Sequence, residues 1–188
     1  MNKYQAINRE TKSLKHEYVK INLSCIASIT NREKIAPKLE RGLEICAILS
    51  ALQIMLNKDV YDMDEERLNA VLEKLKINPE DFHKQIDMYN SLAYSVINRY
   101  IDYLVEIKNV TDIDEKYYIM EKIMEDNSSI VEKAEAQIDP GMYNIPSERI
   151  AQIDDIVQTI YDSTIKSKIT SDKSKDSDLI KSVYDRKK

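Results

Sequence analysis

Glycine is almost missing from this chain. Its 188 residues include two, Gly42 and Gly141, where ordinary usage near ~7% would give roughly thirteen. Phosphate-cradling loops, dinucleotide fingerprints, nucleophile elbows and tight hairpin turns need residues that tolerate a positive φ or let another backbone come close. Functions built on those devices are excluded. Histidine is scarce as well, with only His16 and His83, which leaves little for acid–base catalysis or metal ligation. Cysteine is limited to Cys25 and Cys46, and such a pair reads as reduced, buried thiols rather than a disulfide framework. Long apolar runs are absent. The longest, Leu43–Leu56, contains Glu44, Ser50 and Gln53 and is too short and too polar to span a bilayer. The first ten residues lack the apolar core of a secretory signal. The expected setting is the cytosol, or a particle assembled there, with no membrane partner.

What is present is a chain able to bury one sizeable core, since 43% of its residues are hydrophobic and 32% charged. Isoleucine outnumbers leucine by 26 to 13 and lysine outnumbers arginine by 21 to 7. Both biases follow from AT-rich codons and fit a low-GC bacterium, its phage or a large DNA virus.

Hydrophobic spacing is helical throughout, and no strand-like alternation is sustained. From Lys3 to Ile29 the positions Tyr4, Ile7, Thr11, Leu14, Tyr18, Ile21, Cys25 and Ser28 alternate spacings of three and four, which makes one helical face. A break is expected at Thr30-Asn31, with Pro37 at the start of the next helix. Between Leu43 and Leu56 apolar residues surround that helix, so it belongs in the middle of the fold. If these first two helices form a hairpin turning near Glu33, Cys25 and Cys46 lie at similar heights. Asp62 with Glu65 reads as a capping box for a short third helix carrying Leu68, Val71, Leu72 and Leu75. Asn78-Pro79-Glu80-Asp81 is a stronger start: a cap, a proline at the first helical position, and two acids at the positive end of the dipole. The fourth helix then shows Phe82, Ile86, Tyr89, Ala93, Val96, Tyr100, Tyr103 and Ile107 on one face. The fifth opens at Thr111–Glu115 with Ile113, Tyr117, Met120, Met124, Asn127, Val131, Ala134 and Ile138 on its face. Asn127 marks either a helix break or a buried polar residue that sets register. Loop chemistry is confined to Asp139–Pro146, after which Ser147 is expected to cap a sixth helix facing inward with Ile150, Ile153, Val157, Ile160 and Ile165.

Charge is segregated along the chain. Residues 1–41 hold nine basic and four acidic side chains, residues 42–165 eleven and twenty-five, and residues 166–188 eight and four. Two basic ends therefore flank an acidic middle. On the first helix Arg9, Lys12, His16 and Lys20 form a stripe roughly opposite the apolar face. It is either a solvated face or a docking stripe for an acidic partner or a phosphate backbone. A basic tail and an acidic body on one molecule also suit head-to-tail association. The tail carries Lys166, Lys168, Lys173 and Lys175, then a small apolar island of Leu179, Ile180, Val183 and Tyr184 that can fold as a docking helix over 177–186.

No catalytic or metal constellation survives inspection. Glu80-x-x-His83 is half of a di-iron bundle motif, and the second half is missing because Ser13 precedes His16. Glu132-x-x-Glu135 is similar to the carboxylate pairs of helical nucleotide pyrophosphatases, but no paired downstream Glu-x-x-Asp follows it. Asp59, Asp62, Asp64 and Glu66 lack the glycine and glutamate that a calcium loop needs, and helix capping accounts for them. Both cysteines lie on apolar helical faces that raise a thiol pKa. Six of the twelve tyrosines fall between Tyr89 and Tyr118, spaced for a core or a subunit interface; acids around them oppose base stacking on a nucleic acid.

The sequence therefore predicts an all-α antiparallel bundle of five or six helices around a central apolar helix over 1–165, with a basic polar tail over 166–188. No enzyme activity, cofactor or metal is expected. The predicted role is a non-enzymatic interaction or assembly protein, adaptor or structural subunit, of the kind a phage or virion connector uses. Arg9, Lys12, Lys20, the tail lysines and the apolar island are the expected contacts with a protein partner or a second copy. The alternatives are a nucleic-acid-associated regulator using the basic ends, and an acidic inhibitor whose middle mimics nucleic-acid charge.

Overall fold

The computed structural model describes residues 1–27, 30–135 and 145–169, leaving aside the side chains of 127–135. Six α-helices follow in order: α1 Lys3–Ile26, α2 Arg32–Tyr61, α3 Glu65–Leu75, α4 Pro79–Ile107, α5 Ile113–Glu135 and α6 Ser147–Tyr161. The last passes into a π-helical turn, Asp162–Lys166, and stays helical to residue 169. No strand occurs among the described residues.

The organisation follows from α2. Its buried residues, among them Ile35, Leu43, Ile45, Ala47, Leu52 and Ile54, lie all round the helix, so it is satisfied only when other helices enclose it. On one side Ile45 and Leu52 pack with Ala6, Ile7 and Leu14 of α1 and with Ile165. On another, Ala51 and Ile54 meet Ala93, Ile97 and Ile101 of α4 together with Ile153 and Val157 of α6. Towards its N-terminus Ala36 and Leu43 meet Tyr103 of α4 and Met120 and Ile123 of α5. Side-chain pairs give the directions. Lys3 bonds Asp59 while Arg41 bonds Glu17, so α1 and α2 are antiparallel. Tyr94 bonds Asp154 while Arg149 bonds Asp102, so α4 and α6 are antiparallel too. α6 starts against α4, and the π-helical turn then delivers Ile165 to the α1–α2 side.

Local chemistry sets most boundaries. Asn2 and Gln5 form a reciprocal capping box on α1. Asn78 accepts from the amides of Glu80 and Asp81 with Pro79 at the first helical position, as read from the sequence. Asp112 likewise accepts from the amides of Asp114 and Glu115 at the start of α5.

Other boundaries correct the reading. α2 begins at Arg32, not near Pro37, because the Asn31 side chain accepts from the Lys34 amide at 3.1 Å and caps a helix that runs through the proline. Pro37 removes one hydrogen bond from the ladder, and packing on both sides of α2 holds the helix together there. α3 is capped by Asp64, which accepts from the Arg67 amide at 3.1 Å; Asp62 ends α2 instead. Ser147 is the first residue of α6, and Pro146 precedes it without a side-chain cap. α5 continues unbroken through Asn127, whose side chain lies outside the described residues. On α4 the buried residues include Ile97 and Ile101, so the helix turns a second face to α2 and α6, while Tyr89 near its start is exposed. Ile123 takes the inward place on α5 expected for Met124. Ile29, Ile138, Gly141 and most of the Asp139–Pro146 loop lie outside the described residues.

Gly42 lies inside α2 and faces α1. A Cβ there would meet Tyr18 at 3.6 Å and Ile21 at 3.9 Å, ordinary contact distances. Gly42→Ala should therefore gain helix propensity without a clash and stabilise the fold by about 0.5–1 kcal/mol in urea denaturation. Ile45→Ala, which empties a fully buried position, should cost roughly 2–5 kcal/mol in the same measurement.

Candidate functional site

The outward face of α1 is a surface on which no other described element packs. Its inward face is fixed by Ala6, Ile7 and Leu14. α1 contains two acids, Glu10 and Glu17, and both are drawn into contacts with other elements. Glu17 receives a forked pair of bonds from Arg41 at 2.8 and 3.1 Å, and Arg41 also reaches Glu44 at 2.6 Å. Glu10 is paired with Lys168, beyond the π-helical turn. Arg9, Lys12, Lys15, His16 and Lys20 remain exposed, with no acidic side chain bonded to them among the described residues. The same face continues at helical spacing into Val19, Leu23 and Ile26, the last two 63% and 70% exposed. One helix thus presents a strip of cations that runs into a strip of bare aliphatic surface.

The remaining arginines with interhelix bonds tie the bundle together. Arg32 reaches Asp114 at 2.7 Å with its guanidinium over the Tyr117 ring, joining α2 to α5. Arg99 bonds Asp126 at 2.8 Å and lies 3.7 Å from Asp102, which also takes Arg149 at 3.0 Å, so one network links α4, α5 and α6. The planar guanidinium, with several donors and a stacking face, suits these bridging and stacked roles.

The expected site residues separate into three groups. Arg9, Lys12 and Lys20 come together on the α1 face. Lys166 and Lys168 sit on the helical extension of α6, paired with Asp162 at 3.3 Å and with Glu10. Lys173, Lys175, Leu179, Ile180, Val183 and Tyr184, and the docking helix over 177–186, lie outside the described residues. The sequence reading missed Val19, Leu23 and Ile26. Their i, i+4, i+7 spacing was visible, but the stronger inward pattern of the same helix masked it.

A small cleft of about 200 Å³ opens where α2, α4 and α6 meet, lined by residues that include Lys58, Tyr61, Asn90, Tyr94 and Asp154. Tyr94 donates to Asp154 at 2.5 Å and Tyr61 donates to Asp87. Burial and the adjoining carboxylates push both phenols up, Tyr61 to about 12. Both hydroxyls therefore keep their protons at neutral pH and act as ties between helices. Asn57, buried beneath, accepts from Gln53 and donates to Asn90.

The cysteines do not lie at similar heights. Cys46 is beside Tyr18, two turns along α1 from Cys25, which is near Lys38. The early start of α2 shifts the hairpin register from the one assumed. Burial pushes both thiols up. Glu80 is bonded to Lys84 at 3.0 Å. Among the described residues no three His, Cys, Asp or Glu side chains group to hold a metal ion, and no helix is long and apolar enough to cross a membrane.

No protein-family model, curated protein or solved structure matches the chain.

The Arg41 fork gives a pH test. Its hydrogen bonds hold the Glu17 carboxyl below its ordinary value of 4.5, against a smaller opposing effect of burial. A depressed carboxyl contributes stability above the unfolded value and loses it as pH falls. The stability gap between wild type and Glu17→Gln should therefore be constant above about pH 5 and close as pH drops below the unfolded value. A gap that persists into acid would show that the fork does not bind the charged form preferentially.

Proposed function

We propose that this protein is a non-enzymatic interaction and assembly subunit, an adaptor or structural component, that docks a protein partner on the outward face of α1. One observation supports this most strongly. Both acids of α1 are bonded to other elements, so Arg9, Lys12 and Lys20 face solvent with no acid bonded to them among the described residues and lead into exposed Val19, Leu23 and Ile26. An apolar patch beside charged groups is the composition of a protein interface, whose centre excludes water and whose rim stays polar. The basic arm beyond residue 166, with Lys173, Lys175 and the Leu179–Tyr184 island, adds a second contact in this reading. A cytosolic or virion-assembly role, in a phage or a large DNA virus with AT-rich codons, is the setting the composition favours.

Exposed Arg9, Lys12 and Lys20 also fit a phosphate backbone, which makes nucleic-acid association the second reading. It accounts for the cations and leaves the aliphatic strip unexplained. A phosphate chain asks for positive charge along its whole track.

The two readings separate in one experiment. Tagged protein is recovered from the cells that make it, after nuclease treatment, and bound protein, including untagged copies of the same chain, is quantified. When every copy in the cell carries the same change, wild type should retain a protein that Leu23→Asp/Ile26→Asp and Lys12→Glu/Lys20→Glu both lose, while a single-stranded oligonucleotide binds weakly at physiological salt. Salt-sensitive oligonucleotide binding that Leu23→Asp/Ile26→Asp leaves unchanged, with no protein retained, would overturn the proposal in favour of nucleic acid.

A further inference from the structure

We infer that the partner seated on α1 is a second copy of this chain, which presents the outward face of its α5; the inference rests on the reading of α1 as a docking surface. α5 turns Met120 and Ile123 inward. Asp114 and Asp126 are held by Arg32 and Arg99. The opposite face carries Tyr118, 67% exposed, then Glu121 and Glu125, with Lys122 beside them. It is the counterpart of the α1 face, with carboxylates where α1 has cations and an exposed ring where α1 has Val19.

The spacings agree. Lys12 and Val19 are seven residues apart on α1, and Glu125 and Tyr118 are seven apart on α5, about 10 Å along either helix. Laid antiparallel, the two helices bring Lys12 to Glu125 and Val19 to Tyr118, with Glu121 midway between Lys12 and Lys20. The faces cannot meet within one molecule, because α1 packs on the Ile45–Leu52 side of α2 and α5 on its Ala36–Leu43 side. Contact between copies therefore uses two different faces of each subunit. That is a heterologous, head-to-tail arrangement, which extends beyond a dimer into a ring or filament.

Charge exchange tests this pairing. Sedimentation velocity of the full chain over a range of concentrations should show wild type growing past a dimer and shrinking as salt rises. Lys12→Glu/Lys20→Glu and Glu121→Lys/Glu125→Lys, each folded by circular dichroism, should both be monomeric, since each sets like charge against like. An equimolar mixture of the two variants should recover association, because the reversed α1 of one copy meets the reversed α5 of the other. Growth of wild type that neither reversal weakens, or a mixture that stays monomeric, would overturn the α1–α5 pairing. A wild type that stays monomeric overturns the second-copy inference. If that monomer still retains a different protein from its own cells, and Lys12→Glu/Lys20→Glu loses it, the docking reading stands alone; if it retains none, both fall.

Discussion

A helix that is apolar on every side can be satisfied only by being surrounded, and α2 imposes that requirement on the whole molecule. Each of the three core clusters draws on it: Ile45 and Leu52 for α1, Ala51 and Ile54 for α4 and α6, Ala36 and Leu43 for α4 and α5. The other helices then need only one well-formed inward stripe each. Their outward faces are released from the demands of folding. The π-helical turn serves the same constraint, because it brings Ile165 into full burial with residues of α1 and α2.

Charge is allotted around that centre by side-chain geometry. Arginines make the ties between helices, Arg41 to Glu17 with a fork, Arg32 to Asp114 while stacked on Tyr117, and Arg149 to Asp102. These ties are partly exposed, so each contributes modestly to stability. Their larger effect is on what remains. By turning Glu17 inward with Arg41 and Glu10 with Lys168, the fold strips α1 of negative charge and leaves its cations facing outward. The same process ties up Asp114 and Asp126 of α5 and leaves Glu115, Glu121 and Glu125 exposed among its described side chains. Complementary surfaces arise as the residue of internal pairing.

Much of this was legible from residue order. Scarce glycine, the all-round apolar run from Leu43 to Leu56 and the Asn78-Pro79 start established a helical bundle around its second helix, because periodicity and capping are local properties. Boundaries failed where two local signals competed. Asn31 outweighs Pro37 because a side-chain cap defines a helix end, whereas a proline in an early turn costs one bond of a helix held by packing. Asp64 outweighs Asp62 because the chain must first leave α2. On α4 a single heptad face hid the fact that a helix flanked on two sides buries two stripes, so Ile97 and Ile101 went unlisted. The α1 surface was half legible. Its cations stood out as a stripe, but the inward engagement of Glu10 and Glu17 depends on Lys168 and Arg41, partners remote in sequence that only the fold brings near.

The account depends on the outward face of α1 being covered when the protein is at work. Lysine footprinting by mass spectrometry addresses that directly, comparing protein labelled inside the cells that make it with purified protein labelled at high dilution. Lys12 and Lys20 should be shielded in the cell and reactive when dilute, while Lys74 and Lys84, on α3 and the start of α4, react equally in both. Equal reactivity of Lys12 and Lys20 in the two states would contradict the claim that this face is where the protein engages its partner.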